Sequence, residues 1–197
     1  DDLMSLNQIE LAERSPPDTT CPLHDVVREA VAALAPLARQ RGVDLDLQLD
    51  APNPVIRGDR GQLVQVFVNL IDNALKYGGG SGPVEIATAA PDPGFPGMTG
   101  IAVADHGPGI AREHVPRLTE RFYRVSVSES RNVGGTGLGL AIVKHVLGRH
   151  RGDLQIESTP GEGSRFTVWL PVPSEAAPHP DADDTAPQAG GNSGTVA

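Results

Sequence analysis

Asn69, Asn73 and Lys76 follow an i, i+4, i+7 spacing, which places all three on one face of a helix. An amide oxygen is a hard, neutral ligand of the kind Mg²⁺ accepts, since that ion keeps several waters and completes its shell with phosphate oxygens. A lysine about a turn further on adds a point charge for a phosphate oxygen. Lys76 is one of only two lysines in a chain with fourteen arginines. The same spacing also describes an ordinary solvated helix face, on which two asparagines mildly oppose helix formation.

A second group is Asp105-His106-Gly107-Pro108-Gly109. An ionised carboxylate only accepts hydrogen bonds, so Asp105 suits an exocyclic amino group such as that of adenine. Gly107 and Gly109 let the backbone turn closely over a flat ligand. Alone, Asp-x-Gly-x-Gly is also a commonplace turn, and His106 has no second His or Cys nearby that would make it a metal ligand. A third group, Gly134-Gly135-Thr136-Gly137-Leu138-Gly139-Leu140, leads into a helix whose free N–H groups and dipole favour an anion. It is no Walker A loop, which needs Gly-x-x-x-x-Gly-Lys-Ser/Thr. A dinucleotide fingerprint requires a strand directly before it, but Arg/Ser-rich chain stands there and the third glycine comes one place early. Glu157, near where a ribose-binding acid would sit, keeps that alternative open. Between the glycine groups lie Arg112, Arg117, Arg121, Arg124 and Arg131, with Phe122-Tyr123 among them. Such a segment is either a surface loop or a glycine-hinged lid over an anionic ligand.

The elements that must position these groups are legible in the hydrophobic pattern. A helix is predicted from about Leu23 to Arg41, with Val27, Val31, Leu34 and Leu37 on one side. Val43–Leu49 alternates as a half-buried strand. Asp59 caps a long helix to about Tyr77, where Leu63, Val66, Phe67, Leu70 and Ala74 recur at helical spacing. Strands are expected at Val84–Ala89 and Gly100–Ala104, then a helix over Leu138–Arg149. Two strands, Asp153–Ser158 and Ser164–Leu170, close the pattern around a Gly161-Glu162-Gly163 turn. Helices and strands do not alternate strictly and the last two strands read as an antiparallel hairpin. The fold class is therefore α+β, a two-layer sandwich with helices on one face of a mixed sheet.

The motifs in this order resemble the catalytic ATP-binding domain of sensor histidine kinases, in the superfamily shared with gyrase, the Hsp90 chaperone and MutL. Asn69–Tyr77 resembles the N box, Asp105–Ile110 the G1 box, Arg121–Arg124 the F box and Gly135–Leu140 the G2 box. Gly163-Ser164-Arg165-Phe166 resembles the closing Gly-Thr-x-Phe segment, with a serine that keeps the hydroxyl. The likeness covers roughly Leu23 to Pro171 and implies a Bergerat-type sandwich with a mostly antiparallel sheet and a flexible ATP lid over about 108–134. It implies ATP and Mg²⁺ as cofactors, with Asn73 on the metal, Asp105 on the adenine amino group, and Lys76 and Tyr77 on the nucleotide. Gly107, Gly109, Ile110, Phe122, Arg124, Gly135, Thr136, Gly137, Leu138, Gly139 and Ser164 would complete the nucleotide site. In the superfamily's ATPases a glutamate that activates water stands where this chain has Asn69. An amide cannot take that proton at neutral pH, so the site is expected to resist hydrolysis and save the γ-phosphoryl group for another nucleophile.

In the kinases that nucleophile is a histidine in a His-Glu/Asp-x-x-x-Pro setting on an upstream helix. None of the six histidines here, His24, His106, His114, His145, His150 and His179, has that setting. The acceptor is thus expected on a dimerisation module outside this chain, with a downstream response regulator and a homodimer in the whole protein. Asp1-Asp2-Leu3-Met4-Ser5-Leu6 resembles the end of a dimerisation helix in the style of phosphate-regulon sensor kinases, making 1–14 its last turns and 15–22 a Pro-broken linker. Rival readings are a stand-alone module that phosphorylates a partner in trans, as anti-sigma factor kinases do on serine, and a degenerate binding module.

Composition agrees with this. The chain has 197 residues and a formal net charge of −9, which argues against a general nucleic-acid or membrane-surface binder. Four of the acids, Glu175, Asp181, Asp183 and Asp184, lie in the segment 172–197, which has no Lys or Arg and almost no large apolar residues. That segment is expected to be a disordered acidic tail. A single cysteine, Cys21, excludes an internal disulfide framework and a cysteine zinc cluster, and fits a cytosolic setting. No apolar run approaches the ~20 residues of a spanning helix. Starting without a Met, the chain is expected to be the cytoplasmic catalytic end of a larger, membrane-anchored receptor.

Overall fold

The computed structural model describes residues 17–78, 82–125 and 136–173. Along them run β1 (Thr20–Pro22), α1 (Leu23–Arg41), β2 (Leu45–Gln48), β3 (Val55–Arg57), α2 (Arg60–Tyr77), β4 (Val84–Ala89) and β5 (Met98–Asp105). A 3₁₀ turn follows at Val115–Arg117, then α3 (Gly139–Arg149), β6 (Asp153–Thr159) and β7 (Gly163–Pro171). The main sheet has the order β2-β4-β5-β7-β6. Only β2 and β4 run parallel; the other three pairings are antiparallel. The α+β sandwich expected from the pattern is the one observed.

The period-2 alternation explains which face the helices cover. Ile86 on β4, Ile101 and Val103 on β5, and Val168 and Leu170 on β7 are fully buried and join one core with the helices. From α2, Leu63, Val66, Phe67, Leu70 and Ile71 enter that core, and from α3 Ile142, Val143, Val146 and Leu147. On the opposite face, Trp169 stacks on Phe95 with ring centroids 4.8 Å apart and donates its indole N–H to Gln155. Both long helices are closed by local chemistry. The Asp59 side chain accepts from the Gln62 N–H at 3.0 Å and caps α2. Gly42, at φ +67°, ends α1, and the next residue, Val43, donates back to the Ala38 carbonyl.

Three details differ from the pattern. Thr20–Pro22, at the end of the expected linker, pairs antiparallel with Val55–Arg57 as a separate two-stranded sheet. Strands of three residues carry too little alternation to be read. β5 runs to Asp105 because that residue still pairs with Ser164. Gly163 belongs to β7, opposite Thr159, so the turn is Pro160-Gly161-Glu162. The segments expected as an upstream helix (1–14), the first part of the linker and most of the tail (from 174) lie outside the described residues, as do 126–134 of the expected lid.

Candidate nucleotide site

The C-terminal half of α2, the end of β5, the start of α3 and the β6–β7 turn converge at one edge of the sandwich. Asp105 ends β5 at 8% exposure, and its Oδ1 accepts the Gly107 N–H at 2.9 Å. Burial pushes its carboxyl above the ordinary carboxylate range, opposed by the backbone N–H groups of Gly107 and Ser164 and by the His106 ring. A carboxylate held this way offers a fixed, desolvated acceptor at the end of β5.

The glycines are required by close approach. A Cβ on Gly107 would lie 2.5 Å from the Tyr77 carbonyl oxygen and 2.8 Å from the Gly78 Cα, so this turn is pressed onto the end of α2. Gly109 sits at φ +66°, and a Cβ there would fall 2.0 Å from the Thr159 carbonyl oxygen. The next residue, Ile110, donates its N–H to Ser158 Oγ at 2.8 Å, and Ser158 in turn meets Ser164 Oγ and the Gly163 carbonyl, each at 2.9 Å. The G1-like segment is thus clamped between α2 and the closing hairpin.

On α2, Asn69 donates through Nδ2 to the Gly139 carbonyl at 3.4 Å, tying the helix to the start of α3. Asn73 is half-buried on the same face, one turn along. Lys76 is ion-paired with Asp72, both half-buried. Tyr77, 44% exposed, closes the helix. At the head of α3, Thr136 Oγ accepts the Leu138 N–H at 3.3 Å, and Leu138 is buried. The Phe122 N–H donates to the Gly137 carbonyl at 2.9 Å, joining the F-like and G2-like segments. Phe122 itself has φ +65° and is 63% exposed, a strained backbone carrying a solvent-facing ring. Arg124 is half-buried beside it, and Gly135 lies outside the described residues.

The structure therefore joins Asn69 to Gly139, Phe122 to Gly137, Asp105 to Gly107, and Ile110 to Ser164 through Ser158. Among the described residues, the side chains of Asn73 and Tyr77 make no hydrogen bond to another member of this group. Two participants escaped the sequence reading. Asp72 was overlooked although its i, i+4 relation to Lys76 signals an ion pair. Ser158 becomes visible only once the hairpin register puts it opposite Ser164. Near the F-like segment, Tyr123 OH bonds His114 Nδ1 at 2.7 Å and lies under Arg117, whose guanidinium carbon is 4.2 Å from the ring centroid. Four of the five arginines of the expected lid are placed by the fold, Arg117 on Tyr123, Arg112 and Arg121 exposed and Arg124 half-buried, while Arg131 lies outside the described residues.

The donor chemistry discriminates between metals. Among the described residues no group of three or more His, Cys, Asp or Glu side chains could hold a metal ion. A lone amide such as that of Asn73 suits an ion that brings its own waters and phosphate ligands, which is the habit of Mg²⁺.

Residues 58–174 match the model of the histidine kinase-, DNA gyrase B-, and HSP90-like ATPase family. The phosphate regulon sensor protein PhoR of Pseudomonas aeruginosa is 43% identical over 162 residues, 82% of this chain and 34% of the relative. The sensor-like histidine kinase SenX3 of Mycolicibacterium smegmatis is 38% identical over 181 residues, 91% of this chain and 46% of the relative. The chain thus spans between a third and a half of the length of these relatives. Among solved structures, full-length ShkA in complex with AMPPNP superposes with TM-score 0.74 at 27% identity, covering 90% of this chain and 36% of that one. The mycobacterial sensor histidine kinase MprB gives TM-score 0.64 at 26% identity, covering 78% of this chain and 97% of that one. Fold, motif order and sequence agree, and the chain belongs to the histidine kinase-, DNA gyrase B- and HSP90-like ATPase family.

Proposed function

We propose that this chain is the catalytic part of a two-component sensor histidine kinase, which holds Mg²⁺-ATP and presents the γ-phosphoryl group to a histidine on a dimerisation module. The observation that carries this reading is Asp105, a buried carboxylate fixed over the Gly107 turn and pressed against the end of the asparagine-bearing helix. When bound, ATP supplies the phosphoryl group and Mg²⁺ neutralises charge on its oxygens.

The chain's own residues then do the positioning. Asp105 accepts from the adenine amino group, and the Gly107–Ile110 turn lies along the base. Asn73 offers its amide oxygen to the metal. Lys76, ion-paired with Asp72, would turn its ammonium to a phosphate oxygen, and Tyr77 would contact the nucleotide. Gly135, Thr136, Gly137, Leu138 and Gly139 would offer backbone N–H groups to the phosphates at the α3 N-terminus, Phe122 and Arg124 would line the nucleotide, and Ser164 supports Asp105 from β7. Asn69 cannot act as a base toward water, so the phosphoryl group is kept for an imidazole nucleophile in an in-line transfer. The stretch from about 108 to 134 serves as the ATP lid, 1–14 as the end of a dimerisation helix, and 172–197 as an acidic tail.

The relatives' names, a phosphate regulon sensor protein and a sensor-like histidine kinase, support the sensor-kinase role, and that role would entail a response regulator downstream, a homodimer in the whole protein and a cytoplasmic position beneath a membrane anchor. Among the described residues no helix is long and apolar enough to cross a membrane. The reading is tested by calorimetric titration with ATP and GTP, each with and without Mg²⁺. It predicts Mg²⁺-dependent binding that favours ATP. Equal affinity for GTP, or binding indifferent to the metal, contradicts it.

A further inference from the structure

Far from the nucleotide edge, a buried histidine joins the two helices that form the site's walls. His150, at 3% exposure, lies just past the C-terminus of α3, and its Nε2 accepts the Asp59 backbone N–H at 3.0 Å. Since Nε2 accepts, the ring is neutral with its proton on Nδ1, which donates to the Val146 carbonyl at 2.7 Å. Asp59 is the N-cap of α2, so one imidazole connects the first residue of one helix to the last turn of the other. Its neighbour Arg149 repeats the connection, donating to Gln62 Oε1 at 2.9 Å. The chain is narrowed to admit the ring: a Cβ on Gly58 would come within 2.9 Å of His150 Cδ2 and 2.6 Å of Leu63 Cδ1.

The opposite end of the same helix pair carries the Asn69–Gly139 bond. The two fastenings lie ten residues apart on α2 and eleven apart on α3, and at ~1.5 Å rise per residue both spans are about 15–16 Å. Two antiparallel helices pinned at equal spacing cannot slide along one another without breaking one pin. A one-residue slip of α2 would carry Asn69 about 1.5 Å from its place against Gly139, and Asn73 with it. An error of that size is costly for a metal–phosphate arrangement.

We propose that His150 is a positioning residue for nucleotide binding: through its bond to the Asp59 N–H it sets the register of α2 against α3, and so the distance between the asparagine face and the glycine-rich segment. This rests on the nucleotide reading of the site. Beyond these polar bonds the helix pair is held by apolar packing, which is non-directional and tolerates small shifts. A single-acceptor bond to the first turn gives the register a direction.

The test compares His150→Gln with His150→Asn in the whole chain. The Gln amide oxygen reaches roughly where Nε2 stands and restores the acceptor for Asp59, whereas the shorter Asn reaches only the Nδ1 position. Both lose the ring and its packing, so a merely structural residue would respond alike in stability and affinity. Thermal unfolding and Mg²⁺-ATP titration are measured side by side. The proposal predicts Mg²⁺-ATP affinity within about threefold of wild type for His150→Gln and weaker by about tenfold or more for His150→Asn, within the usual range of site coupling. Equal affinities of the two variants would overturn it. A second measurement needs no variant. By linkage, Mg²⁺-ATP should slow hydrogen exchange of the Asp59 amide in the wild-type chain, and unchanged exchange at saturating nucleotide would also overturn the proposal. If wild type binds no nucleotide, the underlying reading of the site fails and this proposal falls with it.

Discussion

The two sides of the nucleotide site are built differently. The side of Asp105 is buried and fastened from three directions: the Gly107 turn on the end of α2, Gly109 on Thr159, and Ile110 on Ser158. The side of the glycine-rich segment is open, with Tyr77 and Phe122 exposed and Lys76 occupied by Asp72. A base recognised by one or two hydrogen bonds gains from a rigid, desolvated partner whose ordering cost is met on folding. Phosphates that must be gripped and released call for long side chains and a backbone that rearranges. In the proposed reading the rigid side reads the base and the open side handles the phosphates, so substitutions on the two sides should fail in different ways.

On the rigid side, Gly109→Ala should be the most damaging. Its Cβ overlaps the Thr159 carbonyl and its φ is positive, so a loss of about 3 kcal/mol or more is expected, measured by denaturant unfolding. Stability within about 0.5 kcal/mol of wild type would mean that the turn is not clamped. On the open side, Asn73→Ala should leave stability nearly unchanged and weaken Mg²⁺-ATP by about a hundredfold, ~2.7 kcal/mol, because a metal ligand is lost. Wild-type affinity in calorimetry would remove Asn73 from the metal. Asp105→Asn should reduce the preference for ATP over GTP by ~1–3 kcal/mol, the usual cost of mismatching a buried partner. An unchanged ratio would detach Asp105 from the base.

Smaller effects sharpen the picture. Phe122→Gly should relieve the positive φ and stabilise the fold by up to ~1 kcal/mol while altering nucleotide affinity; a stability loss would show that the ring packs. Burial also pushes the His150 imidazole below its ordinary value, more than its bond to Val146 pulls it up. The unfolded chain then binds the extra proton first, so the stability from the neutral ring is present above about pH 6.5 and is lost as pH falls toward the lower folded value. His150→Gln should flatten that part of the stability–pH curve, and an unaltered curve would place the titration elsewhere.

Much of this was legible beforehand. α2 combines a cap, a full apolar stripe and a polar face, and its predicted limits of Asp59 and Tyr77 match the observed helix. The motif order led to the family because each segment carries chemistry in its residue types, as Asp105 and Gly109 do. Long-range pairing is what the pattern withheld. The His150–Asp59 bond spans 91 residues and the Asn69–Gly139 bond 70, and no local periodicity encodes such partners. Three-residue strands such as β1 and β3 exist because each has the other, a fact of topology rather than composition. Whole-chain charge also misled at first sight, since a net −9 says little about a site to which the fold brings Lys76.

The proposed mechanism saves a phosphoryl group for histidine. Its most direct measurement mixes this chain with γ-labelled ATP, Mg²⁺ and a separately supplied dimerisation module. Label on that module's histidine, stable in alkali and lost in acid, is the predicted result. Label on serine, or rapid release of inorganic phosphate with none on the module, would contradict the account.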